Sequence, residues 1–220
     1  MAIYSTYLTN KFGLLLKKAK TNEEIIALRH QYAQTLLARL NISIEVKNKE
    51  KLPQDGKYLI ISNHRSIIDP LVIEMALKDV NINGFWIAKK ELYNSLFFGT
   101  FTRNAGTILL DREAANMSSF FKDIKEVVND GKSVCIFPEG SRNKEDRFIS
   151  PFKEGSRLIA LKNRLPILPM YIKTNAQEIL HEAINARTKN LTIEVVIGDI
   201  IDYKDKTPLE ENYTKQFLQA

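Results

Sequence analysis

Residues 58–70 read Tyr58-Leu59-Ile60-Ile61-Ser62-Asn63-His64-Arg65-Ser66-Ile67-Ile68-Asp69-Pro70. An apolar run, Tyr58–Ser62, ends abruptly in polar residues. Pro70 then suits the first turn of a helix, where its missing N–H leaves no bond unmade. The stretch therefore predicts strand, tight turn, helix. Three other runs end in the same manner: Gly84–Ala88 in Lys89-Lys90, Thr107–Leu110 in Asp111-Arg112, and Ser133–Phe137 in Pro138-Glu139-Gly140-Ser141-Arg142. Further strands are predicted at Ile42–Val46, Ile167–Ile172 and Leu191–Ile197. Helices are predicted at Pro70–Leu77, Glu113–Asn129, Gly155–Lys162 and Pro208–Leu218, the last with Thr207 as N-cap and Glu210 three residues beyond it. Strands separated by helices predict an α/β fold with a largely parallel or mixed central sheet flanked by helices. Such sheets bind ligands outside the carboxyl ends of their strands. One crevice would then collect a histidine, several cations, a carboxylate and a glycine.

The composition fits this fold and excludes others. The chain has 220 residues, of which 44% are hydrophobic and 26% charged, which is globular rather than disordered. A single cysteine, Cys135, excludes a disulfide framework and a cysteine-rich zinc site, and its place inside an apolar run predicts an inert thiol. No run approaches the 18 or so apolar residues of a membrane-spanning helix, and the first residues lack a signal-peptide core. A balance of 32 basic to 26 acidic residues gives +6, which points to anionic partners.

Residues 1–40 differ from the rest. Lys11, Lys17, Lys18 and Lys20 occur among residues 1–20 without an acid, and Ile3, Tyr4, Tyr7, Leu8, Phe12, Leu15 and Leu16 recur near helical spacing. Thr21 with Glu24 reads as a capping box for a second helix, with Ile25, Leu28, Tyr32, Leu36 and Leu40 along one face. The segment is expected to be two amphipathic helices, with a separate domain at 41–220. Two roles stand open: helices that cover the core, or a basic anchor lying on a bilayer surface.

The chemistry centres on His64. A turn of five residues can fold the Asp69 carboxylate back onto the imidazole, fixing the tautomer and leaving Nε2 to accept a proton. Asp69 or Ser66 as a helix cap is the competing role. A guanidinium such as Arg112 binds phosphate through two oxygens, and Lys89 adds a point charge. Gly140 lets backbone amides approach a ligand, and Glu139 is suited to a substrate hydroxyl or a tethered cation. The three histidines show no metal-ligand spacing. Ser66 and Ser141 stay open as nucleophiles.

These blocks together resemble the glycerolipid acyltransferases that include the bacterial 1-acyl-glycerol-3-phosphate acyltransferases. Asn63 through Asp69 is similar to the family's NHxxxxD motif and Gly106 through Arg112 to its GxIxxxR motif. Phe137 through Arg142 is similar to FPEGxRS, with Asn143 in place of the common serine, and Leu165-Pro166-Ile167-Leu168-Pro169 to the V/I-P-hydrophobic-x-P block. The resemblance implies transfer of a fatty acyl group from acyl-CoA or acyl carrier protein to the sn-2 hydroxyl of 1-acyl-glycerol-3-phosphate, giving phosphatidic acid. It implies His64 as general base with Asp69 as its orienter, and Arg112 and Lys89 on the acceptor phosphate. Glu139, Gly140 and Arg142 would shape the acceptor site. It also implies no cofactor beyond the thioester co-substrate, no metal, no nucleic acid, and a peripheral place on the cytoplasmic membrane face. The competing readings are a related acyltransferase using another lysophospholipid, glycerol 3-phosphate or a lyso-aminolipid, and a nonenzymatic lipid-binding protein.

Overall fold

In a computed structural model, residues 2–111, 113, 117–145, 147–186 and 189–218 are described. The chain opens with α1 (Ala2–Leu16) and α2 (Asn22–Arg39), then β1 (Ile42–Lys47), β2 (Leu59–Ser62), α3 (Asp69–Ala76) and β3 (Gly84–Lys89). Two short helices, α4 (Lys90–Tyr93) and α5 (Gly99–Asn104), lead to β4 (Ile108–Leu110). The order continues with α6 (Ser118–Asn129), β5 (Ser133–Ile136), α7 (Gly155–Asn163), β6 (Ile167–Ile172), α8 (Ala176–Asn185), β7 (Leu191–Ile197) and α9 (Leu209–Phe217).

The strands form one mixed sheet in the order β1-β7-β6-β2-β5-β3-β4. The β6–β7 pair is antiparallel and the other neighbours are parallel. Each predicted strand lies within a residue of its expected bounds. Five elements depart from expectation. The short α4 and α5, and α8, were not predicted. The helix after β4 begins at Ser118 rather than Glu113. At α9 the cap is Pro208, without a side-chain bond, and Thr207 donates its N–H to Asp205 Oδ1 at 2.8 Å rather than to Glu210. Glu210 reaches across to accept from Phe152 N at 2.7 Å, so it ties the loop after β5 to the C-terminal helix.

Two apolar layers enclose the sheet. One, under α1, α2 and α3, joins Leu8, Phe12, Tyr32 and Leu36 to Ile60, Val72, Cys135 and Leu168. The other, under α6, α7 and α9, joins Ile61, Val134, Ile124, Ile159 and Tyr213. The hydrophobic core thus runs without a break across residue 40. Thr21 caps α2 as expected, accepting from Glu24 N at 3.2 Å. The buried stripe of α2 keeps Tyr32, Leu36 and Leu40 as expected but shifts in the first half of the helix, where Ile26 and Arg29 are buried while Ile25 and Leu28 are only partly so. The cause is an ion pair between Arg29 and Glu74 of α3, which draws the arginine into the interface.

Helix α1 has two apolar sides. Leu8, Phe12 and Leu16 face inward, and Phe12 packs against Tyr32 with ring centroids 5.5 Å apart. Ile3, Tyr7, Leu14 and Leu15 stand in solvent beside Lys11 and Lys18. Among the described residues, no helix is long and apolar enough to cross a membrane.

Candidate active site

The parallel β2–β5 pairing brings the two decisive turns together. Ile61 lies opposite Ile136, so the residues just past each strand, His64 on one and Glu139 on the other, leave the sheet side by side. Several bonds fix this exit. Asn63, buried, continues the ladder with its side chain: Nδ2 donates to Ile172 O at 3.0 Å, and Ile172 N donates to Oδ1 at 2.8 Å. The Asn63 amide donates to the hydroxyl of Tyr213 at 3.1 Å, and that hydroxyl donates to Met170 O at 2.7 Å. His64 N donates to Glu139 Oε1 at 2.6 Å, while His64 O accepts from Asn143 N at 2.6 Å. The histidine backbone is held on both sides by the segment after β5, and Asn143 does its part through the main chain.

The turn predicted between His64 and Asp69 closes. Asp69 is 1% exposed, and its Oδ2 accepts from Arg65 N at 2.7 Å, from Ser66 N at 2.7 Å and lies 2.8 Å from His64 Nδ1. An oxygen already accepting two backbone N–H bonds serves as an acceptor for the third, so Nδ1 carries the proton and Nε2 the lone pair. The side chain points back to the turn and leaves helix α3 without a side-chain cap, which resolves the two roles open for Asp69. No described residue bonds Nε2. The imidazole lies flat on Phe137, centroids 4.0 Å apart at 9°, and is 18% exposed.

Glu139 faces inward. Beside the His64 amide, its Oε2 accepts from Ser150 N at 2.8 Å. Burial raises its carboxyl above the ordinary range, against the opposing pull of these two amides. Its visible work is to join two loops. Gly140 adopts φ +70°, a conformation that favours glycine, and its N–H donates to Phe137 O at 2.9 Å to close the turn. Arg142 is exposed on the same loop, and Lys89 sits half-buried at the end of β3. The register Lys89↔Leu110 carries the chain past β4 toward Asp111, whose Oδ2 pairs with Lys90 Nζ at 2.7 Å. Arg112 lies outside the described residues. Gly106 opens β4 at φ +71°, where a Cβ would meet the Phe85 ring at 2.2 Å. Burial pushes the Cys135 thiol well up, as expected of an inert core residue.

Sequence reasoning passed over Phe137 as a partner of the histidine, and it missed Tyr213 and the Arg29–Glu74 pair. A signal existed for the last: Glu74 is a lone carboxylate inside the otherwise apolar helical run Leu71–Ala76.

Comparison with known proteins gives a consistent result. A family model described as Acyltransferase matches residues 43–173. The chain is 36% identical over 169 residues to a 1-acyl-sn-glycerol-3-phosphate acyltransferase of Helicobacter pylori, covering 74% of this chain and 70% of that one. It is 31% identical to the Bacillus subtilis protein of the same name, covering 62% and 66% of the two chains. The crystal structure of the 1-acyl-sn-glycerophosphate (LPA) acyltransferase PlsC from Thermotoga maritima superposes with a TM-score of 0.64 at 22% identity, over 97% of this chain and 83% of that one. That likeness speaks for the fold.

Proposed function

Because the chain belongs to the acyltransferase family, we propose that it moves a fatty acyl group from a thioester to the sn-2 hydroxyl of 1-acyl-glycerol-3-phosphate, giving phosphatidic acid. The observation that carries the mechanism is the 2.8 Å bond from His64 Nδ1 to the buried carboxylate of Asp69. Nε2 takes the proton of the acceptor hydroxyl as its oxygen attacks the thioester carbonyl carbon. The tetrahedral intermediate collapses with cleavage of the C–S bond, and the imidazolium returns its proton to the departing thiolate. General-base help of this kind contributes about 10²–10⁴-fold. No covalent acyl-enzyme forms. The acyl donor is acyl-CoA or acyl carrier protein, and no cofactor is required beyond it. Lys89 and Arg112 bind the acceptor phosphate, while Glu139, Gly140 and Arg142 shape the acceptor site on the loop that faces His64.

Both acceptor and product are lipids, which supports a membrane-surface setting. The outer side of α1 carries Tyr7, Leu14 and Leu15 with Lys11 and Lys18 along one shallow groove. We assign this side to the cytoplasmic face of an anionic bilayer, the apolar residues entering the interface and the lysines meeting the headgroups.

Product mass spectrometry with lysophosphatidate and each donor type tests the reaction, alongside His64→Ala. Phosphatidic acid from the native chain, with turnover lost in a folded His64→Ala protein, is the expected result. Near-normal turnover by that variant would remove the mechanism.

A further inference from the structure

The bond from Asp69 holds the His64 ring at one edge atom. By itself such a bond leaves the imidazole able to swing about the line between Nδ1 and Oδ2, and with it the direction of Nε2. The ring of Phe137 supplies a second restraint. Phe137 lies parallel to the imidazole at 4.0 Å and 9°. Trp86 of β3 stacks in turn on Phe137, centroids 4.9 Å apart at 28°. His64 and Phe137 follow the ends of β2 and β5, and Trp86 lies within the adjacent strand β3.

The far end of this stack is anchored. The indole Nε1 of Trp86 donates to Glu74 Oε1 at 2.8 Å. Glu74 is buried in α3 and also accepts from the Arg29 guanidinium, with Nε at 3.0 Å, and its Oε2 lies 3.1 Å from His30 Nε2. Arg29 further donates to Gly84 O at 2.6 Å, at the start of the strand that carries Trp86. None of these groups touches the reacting atoms, and burying a charged pair is favourable only where its bonds are so complete. A polar cluster of this kind, walled by Ile73, Leu77 and Ile82, makes a rigid post for the indole.

We propose that Phe137 is a positioning residue for His64, held in place by Trp86 and the Arg29–Glu74 pair, so that helix α2 is part of the apparatus that aims the base. The flat contact blocks the swing that Asp69 alone permits, and the anchored indole stops Phe137 from retreating. This rests on the reading of His64 as general base. It also makes the second helix of the opening pair a supporting wall of the site.

The test compares kcat and acceptor KM for the native chain, Phe137→Leu, Phe137→Tyr and Trp86→Phe, with lysophosphatidate and palmitoyl-CoA, and with His64→Ala as reference. Phe137→Leu is expected to lower kcat roughly 10- to 100-fold, the scale of an ångström-sized misplacement. The acceptor KM should stay within about twofold, since no binding contact is removed. Phe137→Tyr, which keeps the flat ring, should restore turnover to within about threefold. Trp86→Phe, which keeps a ring but loses the bond to Glu74, should fall between them. Proton NMR of the native chain gives an arm that needs no folded variant at position 137 and no turnover. The carbon-bound ring protons of His64, identified by their loss in His64→Ala, should resonate upfield of those of exposed His181. Phe137→Leu with kcat within twofold of native, failure of Phe137→Tyr to restore it, or His64 signals coinciding with those of His181 would each overturn the proposal. Full turnover by His64→Ala would instead strike the base reading beneath it.

Discussion

The turn around His64 and the outer side of α1 use polar residues in opposite ways. At the turn, Asn63, Asp69 and Glu139 are each buried and bonded to backbone groups. On α1 and the turn after it, Lys11 and Lys18 share solvent with Tyr7 and Leu14. Buried polar groups cost free energy unless paired, so a cluster held through Asn63, Asp69 Oδ2 and both Glu139 oxygens favours one geometry, although Asp69 Oδ1 has no partner among the described residues. Exposed charge beside exposed apolar surface fixes no internal geometry. It is the side we assign to the bilayer surface. Substitutions at the turn should therefore act on kcat and folding, and substitutions on α1 on association.

The largest effect should come from Asp69→Asn. An amide keeps the shape and can present its carbonyl oxygen to the two backbone N–H groups and the imidazole, but it lacks the negative charge that holds Nδ1 protonated and stabilises the imidazolium formed when Nε2 takes the proton. A loss of about 10³–10⁴-fold in kcat, measured at saturating acceptor, is the expected result. A loss confined to acceptor KM would erase the distinction between the two regions.

Next comes Glu74. Burial raises its carboxyl, but the opposing pull of Arg29, His30 and Trp86 is stronger and holds it below the ordinary range. A carboxyl lowered on folding adds stability above its unfolded value, and that stability disappears as pH falls through the folded one. Removing the carboxylate strands Arg29 in the interior, at a cost of about 3–5 kcal/mol. Thermal unfolding across acidic pH should show native stability declining toward that of Glu74→Gln, which lacks this part of the slope. Parallel curves would show that the pair does not hold the interior side together.

Much of this was legible beforehand, for reasons that differ by element. The strands announced themselves because short apolar runs ended in polar turns. His64 and Asp69 could be paired because their contact is local, five residues apart. Phe137 and Trp86 looked like ordinary strand aromatics, since nothing in a strand pattern says which ring will stack on a histidine 73 residues earlier in the chain. Arg29 was passed over because a charge in a helix is normally solvated, and only the facing Glu74 turns it inward. The α9 start signals misled because Glu210 found a long-range partner in Phe152 N, and tertiary pairing overrode the local cap. For α1 the two open roles proved compatible: one side packs on the core while the other stays in solvent.

Glu139→Gln should act more mildly. Glutamine offers one carbonyl oxygen, so either the His64 amide or the Ser150 amide loses its acceptor and faces an NH₂ donor instead. An unpaired buried amide costs about 1–3 kcal/mol. Equilibrium denaturation is expected to show that loss together with a fall in kcat, because the amide of His64 is one of the two. Lower stability with unchanged kcat would place Glu139 outside the geometry of the base.

The smallest expected effect is on the outer side of α1, and there it should leave catalysis in detergent untouched. Deleting the helix is a poor probe, since Leu8, Phe12 and Leu16 belong to the core. Lys11→Gln and Lys18→Gln remove charge without disturbing that packing. Near an anionic surface each lysine contributes a factor of roughly five in binding, and added salt erases it because the charges are exposed. Sedimentation with vesicles of phosphatidylglycerol and phosphatidylcholine should therefore show weaker binding for each variant at low salt and convergence with the native chain at high salt. Turnover of detergent-dispersed lysophosphatidate should not change. Equal vesicle binding by native and doubly substituted chains would assign the lipid surface to another side of the molecule. A parallel fall in detergent turnover would mean that α1 communicates with the buried turn, and the contrast between the two regions would give way to coupling.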